Sequence, residues 1–287
     1  MNPRPPIVDR ETIGLRTRFE AVLGSFPEVR DWLRKSPECA MLADFHINHL
    51  GIMDARSPYE VVRVDQSGTF MLACLEGEGV VRVDGAWKAI RAGQACLLPP
   101  FVMNALKCRG DGRWRFAWVR YGESRRAKPI VSSISPVIGA FAGGGIEAAI
   151  KGLRAEVCSQ NNPAALHQWC TLVHHYVLQF AEPAHRDERL WRLWNQVERD
   201  LARDWTLEQL AAVACLSCEH LRRLCLREIG RSPMRHLTFI RLQQAVQLLT
   251  TTDDKLATIA RAVGFSGIHG FSHAFKMRFG RAPSAFR

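Results

Sequence analysis

Four residues close together near the C-terminus have the types and spacing that metal or thiol chemistry requires. Cys215 and Cys218 form a CxxC pair, and His220 and Cys225 follow in the same short segment. Such sets bind zinc, or exchange between thiol and disulfide, when the fold brings the side chains together. The alternatives are a thiol switch at Cys215 and Cys218 and plain packing of the cysteines in a core, and packing is the default.

A second pair, His46 and His49 in the segment FHINHL, also has a spacing that can serve metal binding. Two histidines without further ligands beside them are more often structural or surface residues, because a zinc site uses three or four protein ligands. We therefore predict no metal, no cofactor and no catalytic residue.

The composition is typical of a globular protein with an anionic partner. The 287 residues are enough for two domains of common size, and 47% hydrophobic with 23% charged residues indicates neither disorder nor a membrane protein. The formal net charge is +11, and residues 188–287 hold sixteen Lys and Arg against nine Asp and Glu. A basic surface favours nucleic acid, because neutralised phosphates release counterions.

Cysteine usage and the N-terminus favour the cytoplasm. The nine cysteines are scattered rather than arranged as a dense disulfide framework, and MNPRPPIVDRE lacks the apolar region of a secretory signal. The long uncharged run over residues 129–146 is rich in Ser, Gly and Pro, so we interpret it as a linker entering a helix. We expect no membrane partner.

The N-terminal half is predicted to hold an amphipathic stretch and then many short strands. Apolar residues within 19–33 recur at near-helical spacing. Within residues 61–121, turn signals separate the strand-like runs VVRV, TFMLACLEGEG, VVRVDGAWKAI, RAGQACLLPP and WRFAWVRY. Asp84-Gly85 predicts a type I′ hairpin, and closely spaced strands favour a small barrel or sandwich.

Two helices are predicted next, in IEAAIKGLRAEV and AALHQWCTLVHHYVLQFA, on either side of Asn161-Asn162-Pro163. Apolar residues occupy more than one face of the second helix, which is equally compatible with core packing and with dimerisation. The polar segment EPAHRDER, residues 182–189, is interpreted as an interdomain linker.

An internal near-repeat with a period of about 50 residues is the most informative feature. LEQLAAVACLSCEHLRRLCLREIGRSP, residues 207–233, corresponds to LATIARAVGFSGIHGFSHAFKMRFGRAP, residues 256–283. A small Ala in each copy allows two helices to cross closely, and large apolar residues close the angle between them, as in a helix-turn-helix unit. Cys225 matches the apolar Phe275 of the other copy, which indicates a core residue.

Helix-start signals support the repeat. Thr206 with Gln209 forms a capping-box pattern, and Ser217 and Ser266 precede the second helix of each copy. Gly264 supplies a turn. In the second copy Lys255 stands at a usual capping position, and Asp254 is the alternative cap. The segment over residues 232–252 is predicted to form a connecting helix that starts at a proline.

At these residues the sequence resembles the AraC/XylS family of transcriptional regulators. IARAVGFSGIHGFSHAFKMRFGRAPSAFR is similar to the family's C-terminal signature, and FIRLQQAVQLL resembles its linker helix. The resemblance implies that each recognition helix enters one major groove of duplex DNA, with the two grooves about one helical turn apart.

By position, the resemblance assigns the recognition helices to residues 218–227 and 268–278. The implied base-contacting residues are Glu219, Arg222, Arg223, His269, Ser272 and His273, and the implied phosphate-contacting residues are Ser217, Arg227, Ser266 and Lys276. Arg can bind guanine in a bidentate way, and Glu can accept from cytosine. The chain departs from the family pattern at Cys215, where Gly is common, at His273, where Arg is usual, and at Lys255.

The strand region resembles the cupin-like sensor half of such regulators over about residues 70–100. Enzymatic cupins bind a metal through His and Glu, and Asn104 stands where a His would be expected. The resemblance therefore implies a pocket for a small organic effector rather than a metal-dependent enzyme.

The predicted fold class is α+β, with an N-terminal cupin-like β-barrel, flanking helices, and a C-terminal all-α domain of two helix-turn-helix units joined by a linker helix. We predict an N-terminal arm over 1–40, an effector-sensing barrel over 41–122, a dimerisation or connector segment over 123–185 and a DNA-binding domain over 186–287, with units at 206–227 and 254–277.

The favoured function is an effector-controlled transcriptional regulator, acting as a homodimer and contacting RNA polymerase if it activates. The alternatives are a constitutive regulator whose barrel serves only assembly, and a barrel enzyme with a DNA-binding tail. The sequence identifies neither the effector nor the operator.

Overall fold

The computed structural model describes residues 9–28, 30–64, 67–83, 86–110, 112–123, 130–132, 135–182 and 187–286. The N-terminal part is a curled antiparallel sheet, and the C-terminal part is helical. The strands are β1 (Arg10–Ile13), β2 (Arg18–Leu23), β3 (Ile47–Arg56), β4 (Tyr59–Arg63), β5 (Phe70–Val83), β6 (Ala86–Arg91), β7 (Gln94–Leu98), β8 (Asn104–Cys108), β9 (Arg113–Tyr121) and β10 (Ile138–Ala140).

The long strand β5 curls the sheet. The strand order is β1-β4-β8-β5-β9-β3-β2, while β6 and β7 also pair with β5, and β10 pairs with β7. The first half of β5 pairs with β7 and β9, and its second half pairs with β6 and β8. The register against β9 shifts between Cys74 and Glu76, and such a bulge bends a strand and increases its twist.

Side chains alternate between two buried faces of the sheet. On β9, Phe116 and Trp118 belong to a core cluster on the inner face. Ala117, Val119 and Tyr121 belong to the cluster that continues into the helices. Both faces are therefore covered, which explains why the strands read as nearly continuous apolar runs.

The predicted strands are present, with one difference in extent. The runs at 69–79 and 80–83 form the single strand β5, and its pairing with β6 brings Val83 opposite Ala86, as the predicted hairpin requires. Asp84 and Gly85 themselves lie outside the described residues.

The near-helical interpretation of residues 19–33 is wrong at its start, where the structure has the strand β2. β2 pairs with β3 along its whole length, and this tertiary pairing overrides the local spacing.

Helices α1 (Gly144–Val157) and α2 (Pro163–Ala181) cover the outer face of the sheet. The Asn162 side chain caps α2 by accepting from the amides of Ala164 and Ala165 at 2.9 and 3.2 Å. One stripe of α2 is buried in the chain's own core, which supports the packing explanation for these positions: Leu166, Cys170, Val173, Val177 and Phe180.

The C-terminal part contains six α-helices among the described residues, five of them in the two repeat copies and the connecting segment; the first, over 188–199, was not predicted, and it begins inside the segment interpreted as a linker. Ser232 precedes a connecting helix that starts at Pro233. The helices are α3 (Glu188–Arg199), α4 (Leu207–Val213), α5 (Cys218–Glu228), α6 (Pro233–Thr251), α7 (Leu256–Ala262) and α8 (Ile268–Phe279). None of the helices in the described ranges is long and apolar enough to cross a membrane.

The sheet contacts the C-terminal helices at two places. Near the end of α5, the Lys88 ammonium donates to the carbonyl of Gly230 at 3.1 Å, and the Val137 amide donates to the carbonyl of Ile229 at 3.0 Å. Near α8, Phe101 and Val102 of the β7–β8 loop join the apolar cluster of the last helices.

Candidate functional site

Helices α4 and α5 meet at a tight turn with a cap at each helix start. The Thr206 hydroxyl accepts from the Gln209 amide, and the Gln209 side chain accepts from the Thr206 amide, both at 3.3 Å. The predicted capping box is thus confirmed. Cys215 holds the turn with φ +52°, and Ser217 caps α5 by accepting from the His220 amide at 3.2 Å.

One face of α5 is buried and the opposite face is exposed. Leu221, Leu224 and Cys225 are buried against the neighbouring helices. Positions 219, 222 and 223 are exposed. Burial of these three residues on one side leaves the other side for a partner.

The exposed Arg222 and Glu219 of α5 form only a weak ion pair. The nearest Arg222 and Glu219 side-chain atoms lie 4.0 Å apart, with side chains 54% and 70% exposed. An exposed pair of this kind stabilises a protein little, so either group can exchange its partner for a ligand. Arg227 pairs with the adjacent Glu228 at 2.7 Å.

Helices α7 and α8 repeat the arrangement with different local chemistry. Gly264 has φ +87° at the turn, and an added Cβ would contact the Leu201 carbonyl oxygen and the Arg241 side chain. Phe271, Phe275 and Phe279 are all fully buried on one side of α8.

The other side of α8 carries the predicted contact residues. His269, His273 and Lys276 are exposed, and Ser272 is half-buried. Ser266 is exposed, but the N-cap of α8 is Gly267, one residue later, with no side-chain cap. Lys255 is the N-cap of α7 and also makes no side-chain cap hydrogen bond. Helix α8 contains no carboxylate, so its charged side chains are all positive.

The CxxC group divides between the surface and the core. Cys225 is fully buried, as its match to Phe275 predicts, and burial raises the pKa of its thiol to about 12. Cys215 is exposed and Cys218 is half-buried. Within the described ranges, no three His, Cys, Asp or Glu side chains gather as metal ligands.

A cavity lies among the inner faces of the strands, with an empty volume of about 450 Å³ that includes the space at its mouth. Aromatic and cationic side chains dominate its wall. The lining residues are Glu11, Arg30, Trp32, His49, Met53, Tyr59, Val61, Arg63, Phe70, Asn104, Leu106, Phe116, Trp118 and Arg120.

The three guanidinium groups of the cavity have unequal partners. Arg30 donates to Glu28 at 2.6 Å, and Arg63 pairs with Glu11. Arg120, only 8% exposed, donates to the carbonyl oxygens of Ser67, at 2.9 Å, and of Tyr121. Burial, and then the charge of Arg30, lower the pKa of Arg120 to about 9.

His49 lies on the cavity wall rather than in a metal site. Its Nδ1 accepts from the Trp118 indole at 2.9 Å, and its Nε2 lies 2.7 Å from an Arg30 nitrogen. Burial, followed by the charges of Arg30 and Arg120, holds the pKa of His49 well below its ordinary value. Its partner in the sequence motif, His46, ends a 3₁₀ helix in the left-handed region, with φ +56°.

Sequence reasoning missed the cationic cavity. The alternation of residues 59, 61 and 63 on β4, and of 116, 118 and 120 on β9, was a usable signal, because alternate residues of a strand share one face. It places Arg63 and Arg120 on the same face as neighbouring aromatic and apolar residues. Asn104, singled out as the residue replacing a metal-binding His, is 3% exposed and lines the same cavity.

Comparison with known proteins covers the C-terminal part. The Helix-turn-helix domain family matches residues 210–287. The chain is 37% identical over 83 residues to the HTH-type transcriptional regulator AlkR of Acinetobacter baylyi, covering 29% of this chain and 27% of that protein. It is 32% identical over 106 residues to the HTH-type transcriptional activator RhaS of Klebsiella pneumoniae, covering 37% of this chain and 38% of that protein.

Among solved structures, an AraC-type DNA-binding domain protein from Chromobacterium violaceum is 26% identical, with 35% of this chain and 89% of that chain covered and a TM-score of 0.34. The matches span only 26% to 39% of the length of the first curated relatives. The curated relatives are named as transcriptional regulators, and the family match covers most of both copies of the repeat. The family match and the curated relatives identify the C-terminal region of this chain as an AraC-type helix-turn-helix domain.

Proposed function

We propose that the protein is a sequence-specific DNA-binding transcriptional regulator whose two helix-turn-helix units are α4–α5 and α7–α8. The observation that carries the proposal is the repeated arrangement in which α5 and α8 each bury one apolar face and expose polar and basic side chains on the other. It occurs inside the region that matches the helix-turn-helix family.

In this proposal α5 and α8 enter adjacent major grooves, and α6 holds them apart. Glu219, Arg222 and Arg223 read one element, and His269, Ser272 and His273 read the other. Phosphate contacts come from Ser217, Arg227, Ser266 and Lys276, because exposed cations and helix N-termini bind phosphate groups. The domain limits, the homodimer and a contact with RNA polymerase stay predictions.

Control by a small molecule is the second part of the proposal. The cavity has the mixed apolar and polar wall of a ligand site. Asn104 lines it and directly follows the β7–β8 loop, whose Phe101 and Val102 pack with the apolar cluster of α8. A ligand that binds one arrangement of this loop better than another would change the position of α8 or how firmly it is packed.

The test is selection of duplex DNA from a random library by the purified full chain, with Arg222→Ala and His273→Ala in parallel. We expect a site with two elements separated by about one turn of DNA, roughly 10 base pairs. Arg222→Ala should relax one element and His273→Ala the other, with a loss of about 1 to 3 kcal/mol for the arginine contact.

Arg192→Ala is the matched control, because Arg192 is an exposed α3 residue in an i,i+4 pair with Glu188. It should leave both elements unchanged. Binding that is uniform across sequences and only falls with salt would reject the proposal and leave the C-terminal domain as a nonspecific basic anchor.

A further inference from the structure

We propose that two contacts between the helix-turn-helix units fix the spacing of the two DNA elements that the protein selects, and that Phe239, Arg278 and Arg241 hold these contacts. The inference rests on the proposed function, because it concerns the direction of α8 relative to α5. The three side chains are positioning residues, which act on DNA recognition through the helices and are not assigned to a contact with DNA.

Helix α6 packs into a different apolar cluster in each of its halves. In the first half, Leu237 and Phe239 belong to the cluster that contains Leu221 of α5. In the second half, Val246 and Leu249 belong to the cluster that contains the buried phenylalanines of α8. Each unit therefore has its own core, and the angle between the units depends on α6 and on contacts that cross from one cluster to the other.

The first crossing contact is a group of cations around the ring of Phe239, which is 3% exposed. The guanidinium carbon of Arg278, in the last turn of α8, lies 4.2 Å from the ring centroid. The guanidinium carbon of Arg231, which follows α5, lies 4.0 Å from the same centroid. A guanidinium over an aromatic ring is attracted by the ring quadrupole, more strongly where water is excluded. One ring of α6 thus holds a cation from the end of each unit.

The ring of Phe239 is itself held firmly. His236 stacks with it, with 5.6 Å between the ring centroids, and Trp194 of α3 packs edge to face on His236 at 4.5 Å. All three rings are buried. Close packing of large rings leaves little room for movement, so Phe239 offers Arg278 a fixed surface.

The second crossing contact joins the turn of the second unit to the loop before α4. Arg241 of α6 donates to the carbonyl oxygens of Leu201 and Arg203 at 3.1 and 2.6 Å. A Cβ built on Gly264 would lie 2.3 Å from the Leu201 oxygen and 2.6 Å from an Arg241 nitrogen. The turn between α7 and α8 therefore lies directly against a carbonyl group that Arg241 already holds.

Together the two contacts restrain α8 near both of its ends. Gly264 lies shortly before the first residue of α8, and Arg278 lies beside its last residue. A helix held at one point can pivot, whereas a helix held near both ends cannot change direction without breaking a contact. The major groove repeats with the turn of DNA, so a fixed α8 accepts one spacing of the elements and a pivoting α8 accepts several.

The experiment measures the affinity of the purified full chain for duplexes that carry both selected elements. The spacer has its selected length or is one base pair shorter or longer, and the readout is the ratio of the affinities. We expect the natural chain to lose about tenfold or more on a shifted duplex, because rigid units cannot engage both elements at once. Phe239→Leu, Arg278→Met and Arg241→Met should lose less than about threefold. Arg278→Lys should keep part of the natural ratio, because an ammonium also binds a ring face.

Leu249→Ala is the matched control, because Leu249 is buried on the same helix but packs within the cluster of the second unit. It should lower the melting temperature and keep the natural ratio. Arg278 is half-buried, so Arg278→Met tests the inference even if the loss of a buried ring unfolds the Phe239 variant.

Three results would overturn the inference: a natural ratio in Arg278→Met and Arg241→Met, equal weakening of Arg278→Met on every spacer, or an equal change of the ratio in Leu249→Ala. If both elements are selected while the ratio does not respond to these variants, this inference fails and the proposed DNA recognition stands. If no element is selected at all, the proposed function itself fails.

Discussion

His49 is the residue whose environment differs most from what its sequence motif indicates. The FHINHL spacing points to a metal ligand, whereas the structure places the ring 3% exposed between an indole and a guanidinium. Burial, and then the charges of Arg30 and Arg120, keep the imidazole neutral, because a third positive charge there would be poorly hydrated and repelled.

The neutral state of His49 predicts acid sensitivity. The pKa of His49 in the folded protein lies well below the value of about 6.5 in the unfolded chain, so below that pH the unfolded state binds a proton that the folded state does not. Stability is therefore present above pH 6.5 and is lost as the pH falls. Between pH 7.5 and 5.5 we expect His49 to reduce the free energy of unfolding by about 1.4 kcal/mol.

Urea denaturation at the two pH values checks this prediction, with His49→Gln as the comparison because Gln keeps an acceptor for Trp118. The variant should lose less stability on acidification than the natural chain. His174 also has a pKa lowered by burial, so some acid sensitivity will remain in the variant. An unchanged pH dependence in His49→Gln would contradict the argument.

At the scale of the element, the two helix pairs differ in how their first helix begins. Helix α4 has a complete capping box, while the N-cap residue of α7 is Lys255, whose side chain makes no cap hydrogen bond. A helix N-terminus prefers an acceptor or a negative charge, so the second pair starts from a less stable helix.

Removing the cap of α4 and adding a cap to α7 should change the free energy of unfolding in opposite directions. Thr206→Ala removes the cap of α4 and is expected to cost about 1 kcal/mol, whereas Lys255→Asp adds a cap to α7 and should gain roughly 0.5 to 1 kcal/mol. Thermal unfolding of the two variants measures both changes. Lys255→Ala is the control for charge alone, because it removes the lysine charge without adding a cap acceptor. A gain of the same size in that control would show that the effect at Lys255 is not capping.

At the scale of the whole molecule, the sheet contacts the ends of both α5 and α8. The chain leaves each of these helices through a left-handed glycine, Gly230 with φ +79° and Gly280 with φ +72°. Gly230 lies against Val137 and Ile138, and Gly280 lies against Met103. A change in the sheet therefore has a contact path to both proposed recognition helices.

The contact near α8 predicts a local effect of Phe101→Ala. Phe101 is 8% exposed and belongs to the apolar cluster of Phe271, Phe275 and Phe279. Loss of the ring should increase local opening of α8 and make its amide hydrogens exchange faster, with less change in α5. Hydrogen exchange with mass spectrometry measures both helices, and Trp87→Ala, which removes an aromatic 42% exposed on β6, is the control. Equal acceleration in α5 and α8 would indicate general destabilisation instead.

The sequence by itself determined the helices α4 to α8 and the cores of the two pairs. The caps at Thr206 and Ser217, the turn at Gly264 and the match of Cys225 with Phe275 are local signals, and helices depend mainly on residues a few positions apart. The exposed positions of α5 and α8 follow from the same periodicity, although their contacts with DNA stay predictions.

Only the tertiary structure decided the identity of β2 and the chemistry of the cavity. β2 is a strand because β3 pairs with it, and its local spacing alone indicates something else. Arg30, Arg63 and Arg120 come from a loop and two strands far apart in the chain, and curling of the sheet brings them to one wall. The alternation along β4 and β9 shows which side chains lie on the same face of a strand as Arg63 or Arg120. It does not show which strands lie opposite that face, because strand pairing joins residues that are distant in sequence.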